Sequence, residues 1–184
     1  MSFPKEIAIF AGGCFWCTEA IFQQLNGVLS VTPGYTGGRV ENPSYEQVSS
    51  GITGHAEATR IEFDPSIISF NKLMEVFFAT HDPTSLNRQG NDEGEQYRSS
   101  IFFTAYEQKK SAEEYIATLS AARAYTRPIV TTIEPFTVFY EAEDYHRQYF
   151  EHHKDQPYCQ LVIAPKIRKV QDEYHNILKK PLKK

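Results

Sequence analysis

The sequence predicts an α/β (α+β) fold: a two-layer sandwich with a mixed sheet and a βαββαβ, ferredoxin-like core. Three observations predict it. Short apolar runs of strand length recur near residues 7–11, 28–31, 56–63, 101–103 and 129–133. Segments with apolar residues at three- and four-residue spacing separate the first run from the second, the third from the fourth, and the fourth from the fifth. Glycine, proline and asparagine punctuate the boundaries. The resulting order is β-α-β-β-α-β with one more helix before the last strand, an arrangement that stacks helices on one face of a sheet.

Each element has a local reason. Ile7-Ala8-Ile9-Phe10-Ala11 is apolar throughout and stops at Gly12-Gly13. Cys17, Ala20, Ile21 and Leu25 then fall on one helical face, which Asn26-Gly27 closes. Val28 to Val31 is extended, and residues 32–54 are read as loop because Pro33-Gly34, Gly37-Gly38 and Pro43 break every period. Ala56 to Phe63 is a strand stopped by Asp64-Pro65. Ser69 can cap a helix that presents Phe70, Leu73, Met74, Phe77 and Phe78. Residues 81–97, HDPTSLNRQGNDEGEQY, are polar and turn-rich, and so long a loop points to function or disorder. Ile101-Phe102-Phe103 is a strand. A helix from Glu107 to about Tyr125 uses Ala112, Ile116 and Leu119, and Ile129 to Ile133 is rich in β-branched residues. One domain over residues 1–184 is expected, with its core in about 1–135. The tyrosine- and histidine-rich extension from about 136 to 184 carries Cys159, is expected to be rich in loops with a helix over Lys166–Leu178, and ends in a solvated lysine-rich tail.

Composition excludes several classes. A net charge of −4 and a pI near 5.9 argue against a dedicated nucleic-acid binder. No apolar run reaches membrane-spanning length. The opening Met1-Ser2-Phe3-Pro4-Lys5-Glu6 lacks the basic-then-apolar pattern of a secretory signal, so a cytoplasmic protein is expected. Three cysteines are too few for a disulfide scaffold and read as reduced, redox-active thiols.

The sharpest local signal is Gly12-Gly13-Cys14-Phe15-Trp16-Cys17, set between a strand and a helix. A cysteine in the first helical turn lies beside unsatisfied backbone N–H groups and the positive end of the helix dipole, which lowers a thiol's pKa. Cys17 lies about one helical turn on, near enough to attack an oxidised Cys14. Phe15 and Trp16 put large apolar surface against the sulfur. Other readings of the same residues stand beside this one. A bare CxxC also serves general thiol–disulfide oxidoreductases and zinc modules, and zinc would need Cys159 and a histidine, without paired ligand spacing. A cysteine hydrolase pairing Cys14 with His55 is a further, weaker alternative. His55 and His146 otherwise read as structural.

Collinear motifs along most of the chain carry a resemblance. GGCFWCTEA, Gly34-Tyr35-Thr36-Gly37-Gly38, Asn42-Pro43-Ser44-Tyr45, Gly54-His55-Ala56-Glu57, Phe63-Asp64-Pro65, His81-Asp82-Pro83-Thr84, RQGNDEGEQYRS from Arg88, and Ala142 through Tyr149 resemble the peptide methionine sulfoxide reductases of the A type. That resemblance implies an α/β two-layer fold and reduction of methionine S-sulfoxide, free or in oxidised proteins, to methionine. Cys14 matches the nucleophile, passing through a sulfenic acid and a disulfide. Phe15 and Trp16 match the wall around the S-methyl group, and Glu57 the acid that protonates the sulfoxide oxygen. Tyr45 and Tyr97 match the phenols that hydrogen-bond that oxygen. Asp92 matches a carboxylate on the substrate's backbone side. The chemistry is coherent, since a protonated oxygen leaves readily and a buried carboxyl holds such a proton near neutrality. No metal or organic cofactor is implied, thioredoxin or a small dithiol is the reductant, and a monomer is expected. One departure is visible: many relatives carry glycine where Cys17 stands and resolve with cysteines in a glycine-rich tail. The resolving partner is therefore Cys17 or Cys159, with spacing favouring Cys17.

Overall fold

Alternation along the first strand sets the layers. Ala8 and Phe10 face one side of the sheet, Ile9 and Ala11 the other, as the two-residue period of a strand requires. The computed structural model describes residues 5–180, so the readings of the N-terminal six residues and of the lysine-rich end fall largely outside it. Chain order runs β1 (Glu6–Gly12), α1 (Phe15–Phe22), β2 (Val28–Thr36), α2 (Tyr45–Ser49), β3 (Ala56–Phe63), α3 (Phe70–Thr80), β4 (Arg88–Gln89), β5 (Asp92–Glu93) and β6 (Ser99–Phe103). It continues through α4 (Tyr106–Ala121), β7 (Thr132–Pro135), β8 (Phe139–Glu141), α5 (Tyr149–His152) and α6 (Ala164–Glu173).

The large sheet has the order β7-β6-β1-β3-β2-β8. Its central strands β6-β1-β3-β2 are antiparallel neighbours, and they are the four strands of the βαββαβ unit. Both βαβ connections cross over one intervening strand. β7 adds in parallel to β6, and β8 adds antiparallel to β2, which makes the sheet mixed. The main core joins Phe10 and Ile61 of the sheet to Ile21 and Phe22 of α1, Leu73 and Phe77 of α3, Ala112 of α4 and Val170 of α6. α3 forms as its sequence predicts. Ser69 caps it by accepting from the Lys72 N–H at 3.2 Å, and Phe70, Leu73, Met74, Phe77 and Phe78 are all buried.

Five local expectations change. β2 runs on through Pro33-Gly34 to Thr36, because Pro33 lies just past the end of β8, where its carbonyl accepts from the Ala142 N–H and a missing N–H is tolerated. Within the expected loop of residues 32–54, α2 forms on a capping box. The Ser44 hydroxyl accepts from the Gln47 N–H, and the Gln47 side chain accepts from the Ser44 N–H. α4 ends at Ala121, just before Arg123 turns to a φ of 50°. The last predicted strand lies slightly later, at Thr132–Pro135, where it pairs with β6. The extension, expected to be rich in loops, is mostly short helices joined by loops, with a π-helical turn at Cys159–Ile163, and the helix expected over Lys166–Leu178 lies instead at Ala164–Glu173. Its far end is tied to the end of α1: the Asn26 N–H donates to the Ile177 carbonyl at 2.7 Å and the Lys179 N–H to the Gln24 carbonyl at 2.8 Å.

Candidate active site

Cys14 sits where β1 ends and α1 begins, as the N-cap residue. The turn needs glycine at position 13. Its φ is +89°, and a Cβ there would come within 2.6 Å of the Gln89 side chain. The Cys17 N–H donates to the Cys14 carbonyl at 3.1 Å, closing the first turn. The first free N–H of the helix, that of Phe15, donates to the Glu57 carboxyl at 3.1 Å. The helix entrance thus binds the acid as well as flanking the sulfur.

An aromatic cup surrounds Cys14. Phe15, Tyr35 and Val48 are buried in it, with Trp16, Tyr45, Tyr97 and Tyr158 packed around them. Phe15 lies 5.8 Å from Tyr35 and 4.9 Å from His146 by ring centroids. Trp16 stacks on Tyr149 at 3.6 Å, and its indole N–H donates to His146 Nδ1 at 3.0 Å. That bond leaves the imidazole proton on Nε2, and burial lowers the pKa of this ring, so it is neutral at pH 7. Tyr45 reaches the cup from α2, with its ring 4.6 Å from His146. Glu143 fixes it there by accepting from the Tyr45 N–H at 2.9 Å and the Tyr35 hydroxyl at 2.8 Å.

Glu57 projects from β3 opposite Tyr35 and is 2% exposed. Burial raises its pKa to about 8 despite the Phe15 N–H, and the Asp92 carboxylate adds to the rise. It therefore carries a proton at neutral pH. Tyr45 is pushed up to about 12 by burial and by Glu57, and Tyr97 also rises for the same reasons, so both phenols remain neutral donors. Cys14 departs from expectation. Burial, then the Glu57 and Cys17 charges, raise its pKa well above the ordinary thiol value, outweighing the Trp16 N–H and the Tyr158 phenol that lower it. The dipole of a short helix does not offset exclusion of water, and the resting sulfur keeps its proton.

A second cluster adjoins the cup. Cys17, Ala20, Cys159 and Ile163 are buried together, with Trp16, Tyr149 and Tyr158 against them. All three cysteines are free. Tyr158 stands at the join: its hydroxyl donates to Asp92 at 2.6 Å and lies 3.9 Å from the Cys17 sulfur. Beyond it opens a cleft of about 660 Å³ whose walls include Cys14, Cys17, Asp92, Tyr158 and Lys166. Cys14 thus borders both the cup and the cleft. Among the described residues, no group of three His, Cys, Asp or Glu side chains is placed to hold a metal ion.

Cys14, Phe15, Trp16, Tyr45, Glu57 and Tyr97 therefore converge, Asp92 faces the cleft, and Cys17 and Cys159 meet behind Trp16. His55 lies apart from this group in its bonding, tying a loop together by contacts with the Gly38 N–H and the Val40 carbonyl. His146, read as structural from sequence, forms the back of the cup. Tyr35, Glu143 and Tyr158 also belong to the site but carry no local signal, since their partners lie 66 to 141 residues away in sequence.

Comparison with known proteins identifies similar chains. The family model described as "Peptide methionine sulfoxide reductase" matches residues 6–178. The chain is 55% identical over 164 residues to the peptide methionine sulfoxide reductase MsrA of Sulfolobus acidocaldarius, covering 89% of this chain and 92% of that one. It is 52% identical over 176 residues to the MsrA of Thermus thermophilus, covering 96% and 99%. Among solved structures, methionine sulfoxide reductase A of Corynebacterium diphtheriae superposes with a TM-score of 0.73 at 33% identity, covering 82% of this chain and 76% of that one.

Proposed function

The chain belongs to the peptide methionine sulfoxide reductase family, and we infer from this that it is an oxidoreductase reducing methionine sulfoxide to methionine, with the S epimer as its substrate. The observation that carries the assignment of roles is the buried Glu57 carboxyl held by the N–H next to Cys14, beside a cup of tyrosines.

The Cys14 sulfur forms a bond to the sulfoxide sulfur while Glu57 passes its proton to the sulfoxide oxygen. The thiol proton replaces the one Glu57 gives up. Tyr45 and Tyr97 donate to the same oxygen without competing charge. Oxygen ends on Cys14 as a sulfenic acid, and the thioether leaves. The methyl group rests against Phe15 and Trp16, and Asp92 takes the substrate's backbone side. The Cys17 thiol then attacks the sulfenic sulfur, releasing water and forming a disulfide. Cys17 rather than Cys159 takes this step, because it shares a helical turn with Cys14 while Cys159 packs against Cys17. Exchange with Cys159 follows, and thioredoxin or a small dithiol returns two electrons. No metal or organic cofactor takes part. The substrate is free methionine sulfoxide or the oxidised residue in proteins. The enzyme acts as a cytoplasmic monomer, a single catalytic domain whose core lies in about residues 1–135 and whose C-terminal extension supplies Cys159.

Racemic methionine sulfoxide incubated with the enzyme and dithiothreitol, with the epimers resolved afterwards, tests this reading. The S epimer should be consumed and the R epimer left. Equal consumption of both would overturn the proposed cup.

A further inference from the structure

Glu19 is a buried carboxyl that the reaction above does not use. It is 2% exposed, lies on α1 with the cysteines, and has its pKa raised to about 7 by burial. Both its oxygens lie 2.9 Å from one backbone N–H, that of Gln148. Gln148 has φ 52° and ψ 35°, a left-handed conformation that is unusual for a residue with a side chain. The Gln148 and Tyr149 backbone N–H groups and the Arg147 charge act against the rise in the Glu19 pKa, and the Arg147 guanidinium itself is engaged by Glu141 and Asp144.

Gln148 begins the stretch that completes the site. Tyr149 next to it stacks on Trp16, and ten and eleven residues on from Gln148 come Tyr158 and Cys159, packed on Cys17. The chain beyond is pinned separately, where Asn26 and Gln24 meet Ile177 and Lys179. Glu19 is thus the polar anchor at the near end of a segment whose far end is fixed elsewhere.

We propose that Glu19 is a positioning residue for recycling: its bond to Gln148 fixes the left-handed turn that lays Tyr149 on Trp16 and holds Cys159 against Cys17. The meaning of this for turnover rests on the function proposed above, but the anchoring itself does not. Removing the acceptor leaves the Gln148 N–H without its partner and frees the segment that the bond holds.

Amide hydrogen exchange and alkylation of Cys159 in the intact protein test it, comparing wild type, Glu19→Gln and Glu19→Ala. Glutamine keeps one acceptor oxygen, so it should rescue part of the effect, and it carries the test if the alanine variant folds poorly. In Glu19→Ala, exchange over residues 148–159 and alkylation of Cys159 should accelerate about tenfold or more, with Glu19→Gln in between and α3 unchanged. Turnover with thioredoxin should fall, while the single burst of methionine persists. Unchanged exchange and labelling in both variants would overturn the anchor, as would loosening spread equally over β1 and α3. A wild-type enzyme that fails to reduce the sulfoxide would sink the proposed function and leave the exchange result to judge Glu19 alone.

Discussion

Glu57 shows how one side chain acquires its task from its surroundings. A carboxyl on a solvated strand would be ionised at pH 7, yet here burial lifts it to about 8 and keeps the proton that a sulfoxide oxygen needs. The sign of the pH effect follows. The reductase step should run at full rate near pH 6 and fall as pH rises through about 8, when Glu57 loses its proton. Glu57→Gln should slow that step about 10²–10⁴-fold and remove the fall, as rapid-quench kinetics from pH 6 to 9 would show. The same raised pKa makes folding more favourable while the group is protonated, an advantage that declines from the ordinary carboxyl range up to about pH 8. Glu57→Gln should therefore melt higher than wild type at pH 9 and close to it at pH 5. Of the site, Cys14, Phe15 and Trp16 were legible because the glycine turn and helix start are local. Glu57, Tyr45, Tyr97 and Asp92 were legible only through resemblance, since each lies 31 or more residues from Cys14. Tyr35, Glu143, His146 and Tyr158 were not legible as site residues, because side chains meeting across strands leave no spacing in sequence.

At the scale of elements, helices with a full apolar face were legible and short capped ones were not. α3 has a continuous stripe and a serine cap, and it forms where expected. α2 buries only Val48, so its periodicity is invisible among glycines and prolines; the Ser44–Gln47 pair was the available signal. That cap matters because α2 carries Tyr45. Ser44→Ala should cost about 1 kcal/mol of local stability and lower the reduction rate modestly, with hydrogen exchange rising over residues 45–49 and the rest of the molecule unmoved. The polar stretch of residues 81–97 likewise has no apolar period. It is ordered by Asp82, which accepts from Thr84 and Ser85 and from Arg127, and by Gln89 bonding back to the Asp82 backbone. This frame brings Asp92 to the cleft.

Across the whole molecule, the βαββαβ order was legible because each strand and helix carries its own period, and the main core follows from it. The path of the extension was not legible: it returns across α1 through backbone and aromatic contacts that no repeat announces. Its return brings Cys159 behind Cys17, so the disulfide chemistry depends on parts of the chain far apart. Cys159→Ser should leave the first disulfide intact and slow only its handover to thioredoxin, and non-reducing peptide mapping of the oxidised protein should find Cys14 joined to Cys17 first. The central claim is that Cys14 takes the oxygen from the sulfoxide and Cys17 removes it. Its most direct test is a single turnover of Cys17→Ser on methionine S-sulfoxide without reductant, trapped with dimedone and mapped by mass spectrometry. One methionine per enzyme and a dimedone adduct on Cys14 are predicted. An adduct on Cys159 instead, or no methionine released, would contradict the claim.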